Sequence, residues 1–214
     1  MIRGGGRPSD AYAGSATERR VADLADLLVW TTLTRPPTLA GSRLLCVDGR
    51  AGSGKTTLAA AMASVATEHT TVRLVQMDDI YPGWTGLTQA VALVEEHLIE
   101  PLRAGRPACY QRYDWDTGAL AEWHTVEPAD LLILEGVGSG ASAYHSSITS
   151  LVWVEAPRAL RLARGLARDG DRLRAEWLRW MDAEDALFAA EHTKERSDVI
   201  VDGTGELERA VLFH

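Results

Sequence analysis

Residues 43–69, RLLCVDGRAGSGKTTLAAAMASVATEH, constrain the fold more than any other stretch of this chain. A near-continuous apolar run leads straight into a glycine-rich loop, and an Ala-rich helical stretch leads straight out. Gly49, Gly54, Lys55 and Thr56 fit G-x-x-x-x-G-K-[ST], the Walker A phosphate loop. In such a loop the backbone of Gly49, Ala51, Gly52, Ser53 and Gly54 wraps a phosphate, with Lys55, Thr56 and Thr57 opening the helix behind it. Lys55 is expected on the β- and γ-phosphates and the Thr56 hydroxyl on Mg²⁺. The chain spends Arg on nearly all its positive charge and carries only two lysines, Lys55 and Lys194. One of the two stands where the loop requires it.

Four more short apolar runs follow: VRLVQMDD (72–79), DLLILEG (130–136), SLVWVEA (150–156) and DVIVDG (198–203). Runs of four to six apolar residues suit strands buried on both faces, as in a parallel sheet. Helical patterns separate most of them, at 56–69, 86–105 and 157–196. Strands alternating with helices predict an α/β fold with right-handed crossovers. Ahead of the first strand, Val21, Leu24, Leu27 and Leu28 recur at helical spacing from Thr17, and Pro36-Pro37 ends that helix. Residues 1–16, rich in Gly and Ser, are expected to be a mobile segment, leaving one domain over 17–214.

A net charge of −8 argues against nucleic acid or an anionic membrane as a partner. The longest apolar runs are too short to span a bilayer, which makes a cytoplasmic protein the default. Cys46 and Cys109 give neither metal spacing nor a disulfide framework, and Cys46, inside an apolar run, is expected to be buried.

Two acids fall where a parallel sheet gathers its ligands, at the carboxyl ends of strands. Asp78, in MDDIYPG, either accepts the proton of an attacking hydroxyl and contacts the metal, or belongs to a solvated acidic turn. Glu135 closes LLILEG, as a metal-side carboxylate or as a cap on the strand end. The glycines after it, Gly136, Gly138 and Gly140, read as a flexible turn. Further on, Arg161, Arg164, Arg168, Arg172 and Arg174 recur in steps of two to four residues. Beside a phosphate loop they favour an Arg-bearing lid at about 157–175 over an ordinary solvated face. Trp84, Trp115 and Trp123 either stack on an acceptor or belong to the core, with Trp123 leaning to the core.

In order and spacing, VDGRAGSGKTTLA (47–59), MDDIY (77–81), QRYDW (111–115), LLILEGV (131–137), RLARGLARD (161–169) and SDVIVDG (197–203) resemble the uridine kinase and phosphoribulokinase group of P-loop kinases. The resemblance implies a three-layer P-loop NTPase fold with a five-stranded parallel sheet of order 2-3-1-4-5, helices on both faces and an Arg-bearing lid. It places the catalytic carboxylate on Asp78, and the acceptor pocket on Asp78, Tyr81, Tyr113, Asp114, Trp115 and Glu135. It places lid arginines on Arg161, Arg164 and Arg168, with Arg161 toward the nucleotide, and an adenine loop around Asp202 to Thr204. Thr56, Glu135 and Asp78 become the metal side. Ile80 replaces the family's usual aromatic, and Gly118 and Ala119 stand where nucleoside-specific members carry polar residues.

The expected activity is ATP- and Mg²⁺-dependent transfer of a phosphoryl group to the free hydroxyl of a small acceptor, nucleoside-like or other. The resemblance leaves room for a homodimer. The rival reading is a nucleotide-dependent switch acting through a protein partner. No N-K-x-D guanine-reading motif supports that rival.

Overall fold

The computed structural model describes residues 16–205 and 211–212. The segment expected to be mobile therefore lies outside the described residues, except for Ala16, where helix α1 (Ala16–Leu33) begins.

Strand β1 (Arg43–Asp48) is buried along almost its whole length, as its unbroken apolar sequence requires. It lies between β5 (Leu131–Glu135) and β6 (Ser150–Glu155), parallel to both, with Cys46 opposite Leu134 on one side and Leu151 on the other. Strands β2 (Val72–Gln76) and β7 (Val199–Asp202) flank them, and a two-residue antiparallel strand β8 (Val211–Leu212) adds an edge. The five parallel strands thus run 2-3-1-4-5 in order of appearance, as expected from the sequence, with β8 an addition.

Because strand side chains alternate, each apolar run feeds two cores. Leu44, Cys46, Leu132, Leu134 and Trp153 point to one face. There they meet α3 (Leu87–Val94), the π-helical turn Glu95–Ile99 that continues it, α4 (Glu100–Arg103) and α6 (Arg174–Glu191). Leu45, Val47, Ile133, Val152 and Val154 point to the other face, against α1 and α2 (Lys55–Ala66). Removing one such fully buried Leu side chain costs about 2–5 kcal/mol.

Two segments differ from the sequence reading. The helix expected over 86–105 is interrupted by the π turn, which ends just before Pro101. A proline ring clashes with the carbonyl four residues earlier in an ideal α-helix, and a widened turn relieves that clash. Residues 108–126, read without strands, form an antiparallel hairpin of β3 (Ala108–Asp114) and β4 (Ala119–Val126) outside the main sheet. Most of β4 faces solvent, so no apolar run marks it. Its turn is held by Asp114, whose Oδ1 accepts hydrogen bonds from the amides of Asp116 (2.9 Å) and Thr117 (3.1 Å).

Candidate active site

The phosphate loop spans the gap from β1 to α2, and two of its glycines show why the sequence is what it is. A Cβ at Gly49 would lie 2.2 Å from the Val154 carbonyl oxygen, and one at Gly52 would lie 2.5 Å from that of Arg161. Both also adopt positive φ, +138° and +78°, so any other residue would be strained as well as crowded. Gly54 caps α2 in the left-handed region, Ser53 is buried beside it, and Thr57 points outward to solvent.

The loop is braced from behind by charges that the sequence reading did not single out. Asp48, the last residue of β1, is fully buried. Its Oδ1 accepts from the amides of Gly49 (2.6 Å) and Gly138 (3.0 Å), and its Oδ2 from that of Gly140 (2.8 Å). Burial pushes its carboxyl up to about 6 even though the three amides and Lys55 pull the other way. The glycines after Glu135 are therefore not a loose turn: two of them donate to Asp48, and packing leaves no room for a side chain at Gly136 or Gly140. On the opposite side, Glu184 of α6 accepts from the Ala51 amide (2.8 Å) and from the Arg161 guanidinium (2.6 Å). Arg161, on α5 (Arg158–Asp169), also donates to the carbonyls of Ala51 and Ala156.

This corrects the placement of Arg161. It is 2% exposed, clamps the loop from within the fold and does not line the cavity. Arg164 is half-way to the same fate. It donates to the carbonyls of Gly203 (2.8 Å), Gly52 (3.3 Å) and Thr204 (3.3 Å), joining the phosphate loop to the loop after β7. Of the lid arginines, Arg168 faces the cavity, joined by Arg172. Arg168 lies 5.8 Å from the centre of the Trp177 ring and binds Asp169 through two nitrogens (2.7 and 3.0 Å).

A cavity of about 650 Å³ opens in front of the loop. It gathers Ala51, Gly52, Lys55 and Thr56 with Asp78, Tyr81, Trp115, Glu135 and Arg168, nine of the residues singled out in the sequence. Lys55 Nζ rests on the Arg50 carbonyl (3.0 Å), and the Thr56 hydroxyl donates to Glu135 Oε1 (3.1 Å). Burial raises the carboxyls of both Asp78 and Glu135 above their ordinary range, opposed by Lys55 and Arg168 and reinforced by other nearby acids. Two desolvated acids beside a Lys and a Thr hydroxyl are a fitting donor set for Mg²⁺ bound with phosphate. Such a metal takes one or two carboxylates and fills its other positions with phosphate oxygens and water. Among the described residues no group of three His, Cys, Asp or Glu side chains forms an all-protein metal cage.

The other half of the cavity is aromatic. Trp84, from the unassigned YPGW segment, packs edge-on against Trp115 (5.4 Å between centres), Trp177 (6.1 Å) and Trp180 (6.0 Å). Tyr81 packs against Trp180 at 4.8 Å and donates its hydroxyl hydrogen to the Val137 carbonyl (2.8 Å). The 3.6-residue period that puts Trp177, Trp180 and Glu184 on one face of α6 also ties this wall to the phosphate loop. Tyr113 does not line the cavity. Its ring stands 5.3 Å from Trp115, which it backs, and Asp114 is spent on the hairpin turn. Trp123, expected in the core, is 62% exposed on β4, because hairpin alternation turns it outward.

No protein-family model matches the chain. It is 27% identical over 193 residues to a uridine kinase of Lactobacillus helveticus, covering 78% of this chain and 90% of that one. The structure of a "possible uridine kinase" from Bacillus stearothermophilus superposes with a TM-score of 0.64 at 24% identity, covering 84% of this chain and 98% of its own. The chain is thus similar to a uridine kinase in sequence and shares the fold of these P-loop kinases. The D-glycerate 3-kinase of Cryptococcus neoformans shares the fold at 14% identity, with a TM-score of 0.59, 94% of this chain and 100% of its own covered. Uridine kinase-like folds therefore accompany kinases named for quite different acceptors, and the fold by itself does not choose among them.

Proposed function

We propose that this uridine kinase-like protein transfers the γ-phosphoryl group of ATP to a hydroxyl of a small molecule, with Mg²⁺ as the metal. The observation that carries the reading is the convergence of Lys55, Thr56, Asp78 and Glu135 at one end of a single cavity. The loop amides and Lys55 hold the β- and γ-phosphates, displacing Lys55 from the Arg50 carbonyl on which it rests. Thr56 and Glu135, already hydrogen-bonded to each other, would hold the Mg²⁺, which would supply charge neutralisation at the phosphates. Asp78 accepts the acceptor's proton, and its desolvated carboxyl is a stronger base than an exposed one. Arg168, at the cavity mouth, stabilises charge on the transferring group and helps exclude water.

Support comes from the curated relative, itself named a uridine kinase, and from the residues that match its family at Lys55, Thr56, Asp78 and Glu135. The test is incubation with γ-labelled ATP and a panel of alcohols, followed by mass spectrometry. Label appearing in a small organic product is the expected result. Label released only as inorganic phosphate, whatever alcohol is present, would point to a nucleotide-dependent switch instead.

A further inference from the structure

We propose that the acceptor is an alcohol built on an apolar ring, and not a nucleoside, a sugar or a sugar acid. This rests on the phosphotransfer reading and names the class of compound that the same cavity would take.

Four of the chain's seven tryptophans, Trp84, Trp115, Trp177 and Trp180, line this one cavity together with Tyr81. Three of these five rings have their polar atom committed within the protein. Trp115 Nε1 donates to the Asp78 carbonyl (2.8 Å), Trp177 Nε1 to Asp169 (3.0 Å) and Tyr81 Oη to the Val137 carbonyl. The wall therefore offers an incoming molecule carbon and π surface, with few hydrogen-bonding groups.

The rest of the lining points the same way. No Asn, Gln, Ser or His side chain borders the cavity, so the neutral groups that commonly read a base edge or a row of sugar hydroxyls are missing among the described residues. The charged groups mostly have other work. On the phosphotransfer reading Lys55 and Arg168 serve the phosphates, Thr56 and Glu135 the metal and Asp78 the reacting hydroxyl; Asp169 holds Arg168 and Trp177, and Asp116 and Arg172 also border the cavity. A pyrimidine or a sugar placed here would bury several polar atoms without partners, and each such atom weakens binding by roughly tenfold or more. An aryl or cyclic alcohol buries one hydroxyl, and Asp78 stands ready for it. The edge-on packing of Trp84 against its three neighbours forms the wall in advance, so little ordering is needed on binding.

The discriminating experiment is saturation-transfer NMR on the full chain with Mg²⁺ and a non-hydrolysable ATP analogue, using an equimolar mixture of tryptophol, uridine and D-glycerate. Tryptophol should saturate most strongly. Its signal should fall at least about fivefold in Trp115→Ala and be largely kept in Trp115→Phe. Trp84→Leu serves as the second variant if Trp115→Ala does not fold by circular dichroism. Uridine or D-glycerate binding as well as tryptophol overturns the proposal. So does no tryptophol signal in the wild type, or a signal indifferent to the variants. Because the nucleotide analogue cannot react, binding is read apart from transfer. Tryptophol that binds while ATP label is released only as inorganic phosphate, whatever alcohol is present, keeps the ring-binding wall but removes the kinase reading and with it the acceptor role. Phosphorylated uridine or D-glycerate with unphosphorylated tryptophol does the reverse.

Discussion

The two halves of the cavity are built on different physics. The phosphate side is held by buried polar groups: Asp48 on three amides, and the Arg161–Glu184 pair on the Ala51 amide and carbonyl. The aromatic side, which we propose receives the acceptor, is held by ring packing around Trp84, with the half-exposed Trp115 at its margin. Directional bonds fix a backbone to within the tolerance that phosphate chemistry needs, and each removed partner leaves a buried charge behind. Ring contacts are weaker and less directional, so a pocket made from them can change its occupant without loss of the fold. That contrast is consistent with one fold serving kinases named for uridine and for D-glycerate.

The contrast can be tested, beginning where the effect is largest. Asp78→Asn should lower phosphoryl transfer by about 10²- to 10⁴-fold while ATP affinity stays within about twofold. Steady-state kinetics beside a nucleotide-binding titration checks this, and turnover surviving within a few-fold removes Asp78 as the base.

Next comes the brace. Glu184→Ala strands the buried Arg161 and should destabilise the protein by about 3–5 kcal/mol in urea unfolding, with weakened ATP binding. A loss under about 1 kcal/mol would show that the phosphate side is not held as described.

Asp48 gives a pH signature. Its carboxyl is raised in the fold to about 6, so the folded state keeps a proton that the unfolded chain releases near pH 4. The contribution is full below about pH 4 and is lost as pH rises through about 6, amounting to about 3 kcal/mol. Asp48→Asn should flatten the dependence of unfolding free energy on pH in that window. An unchanged slope would assign the dependence to other groups. Last, Trp123→Ser on the exposed hairpin strand should shift stability by under about 0.5 kcal/mol and leave phosphoryl transfer unchanged.

Most of the phosphate side was legible in the residues. Strand, loop and helix are contiguous, so their chemistry is written in consecutive letters from Leu44 to Ala66. Glu135 was legible for a related reason, as an acid at the end of a strand that is otherwise wholly apolar. Asp48 carries the same signal at the end of β1 and could have been read the same way. Glu184 could not, since it lies 133 residues from the amide it accepts and nothing in MDAEDALF sets it apart from its acidic neighbours. Arg161 and Arg168 sit seven apart on one helix, and only the packing of α6 against α5 decides that the first is clamped and the second faces the cavity. Trp84 and Trp123 looked alike in sequence, and hairpin geometry sent one outward while the other became the centre of the wall.

The sequence by itself determined the alternation of strands and helices, the order of the five parallel strands by family resemblance, and the phosphate-binding chemistry of the loop. Those follow from local periodicity and from residues adjacent in the chain. Tertiary structure alone decided which charges brace the loop, which arginine meets the cavity and which tryptophans meet one another. These are contacts between residues far apart in sequence, and a lone Glu, Arg or Trp carries no mark of its distant partner until the chain has folded.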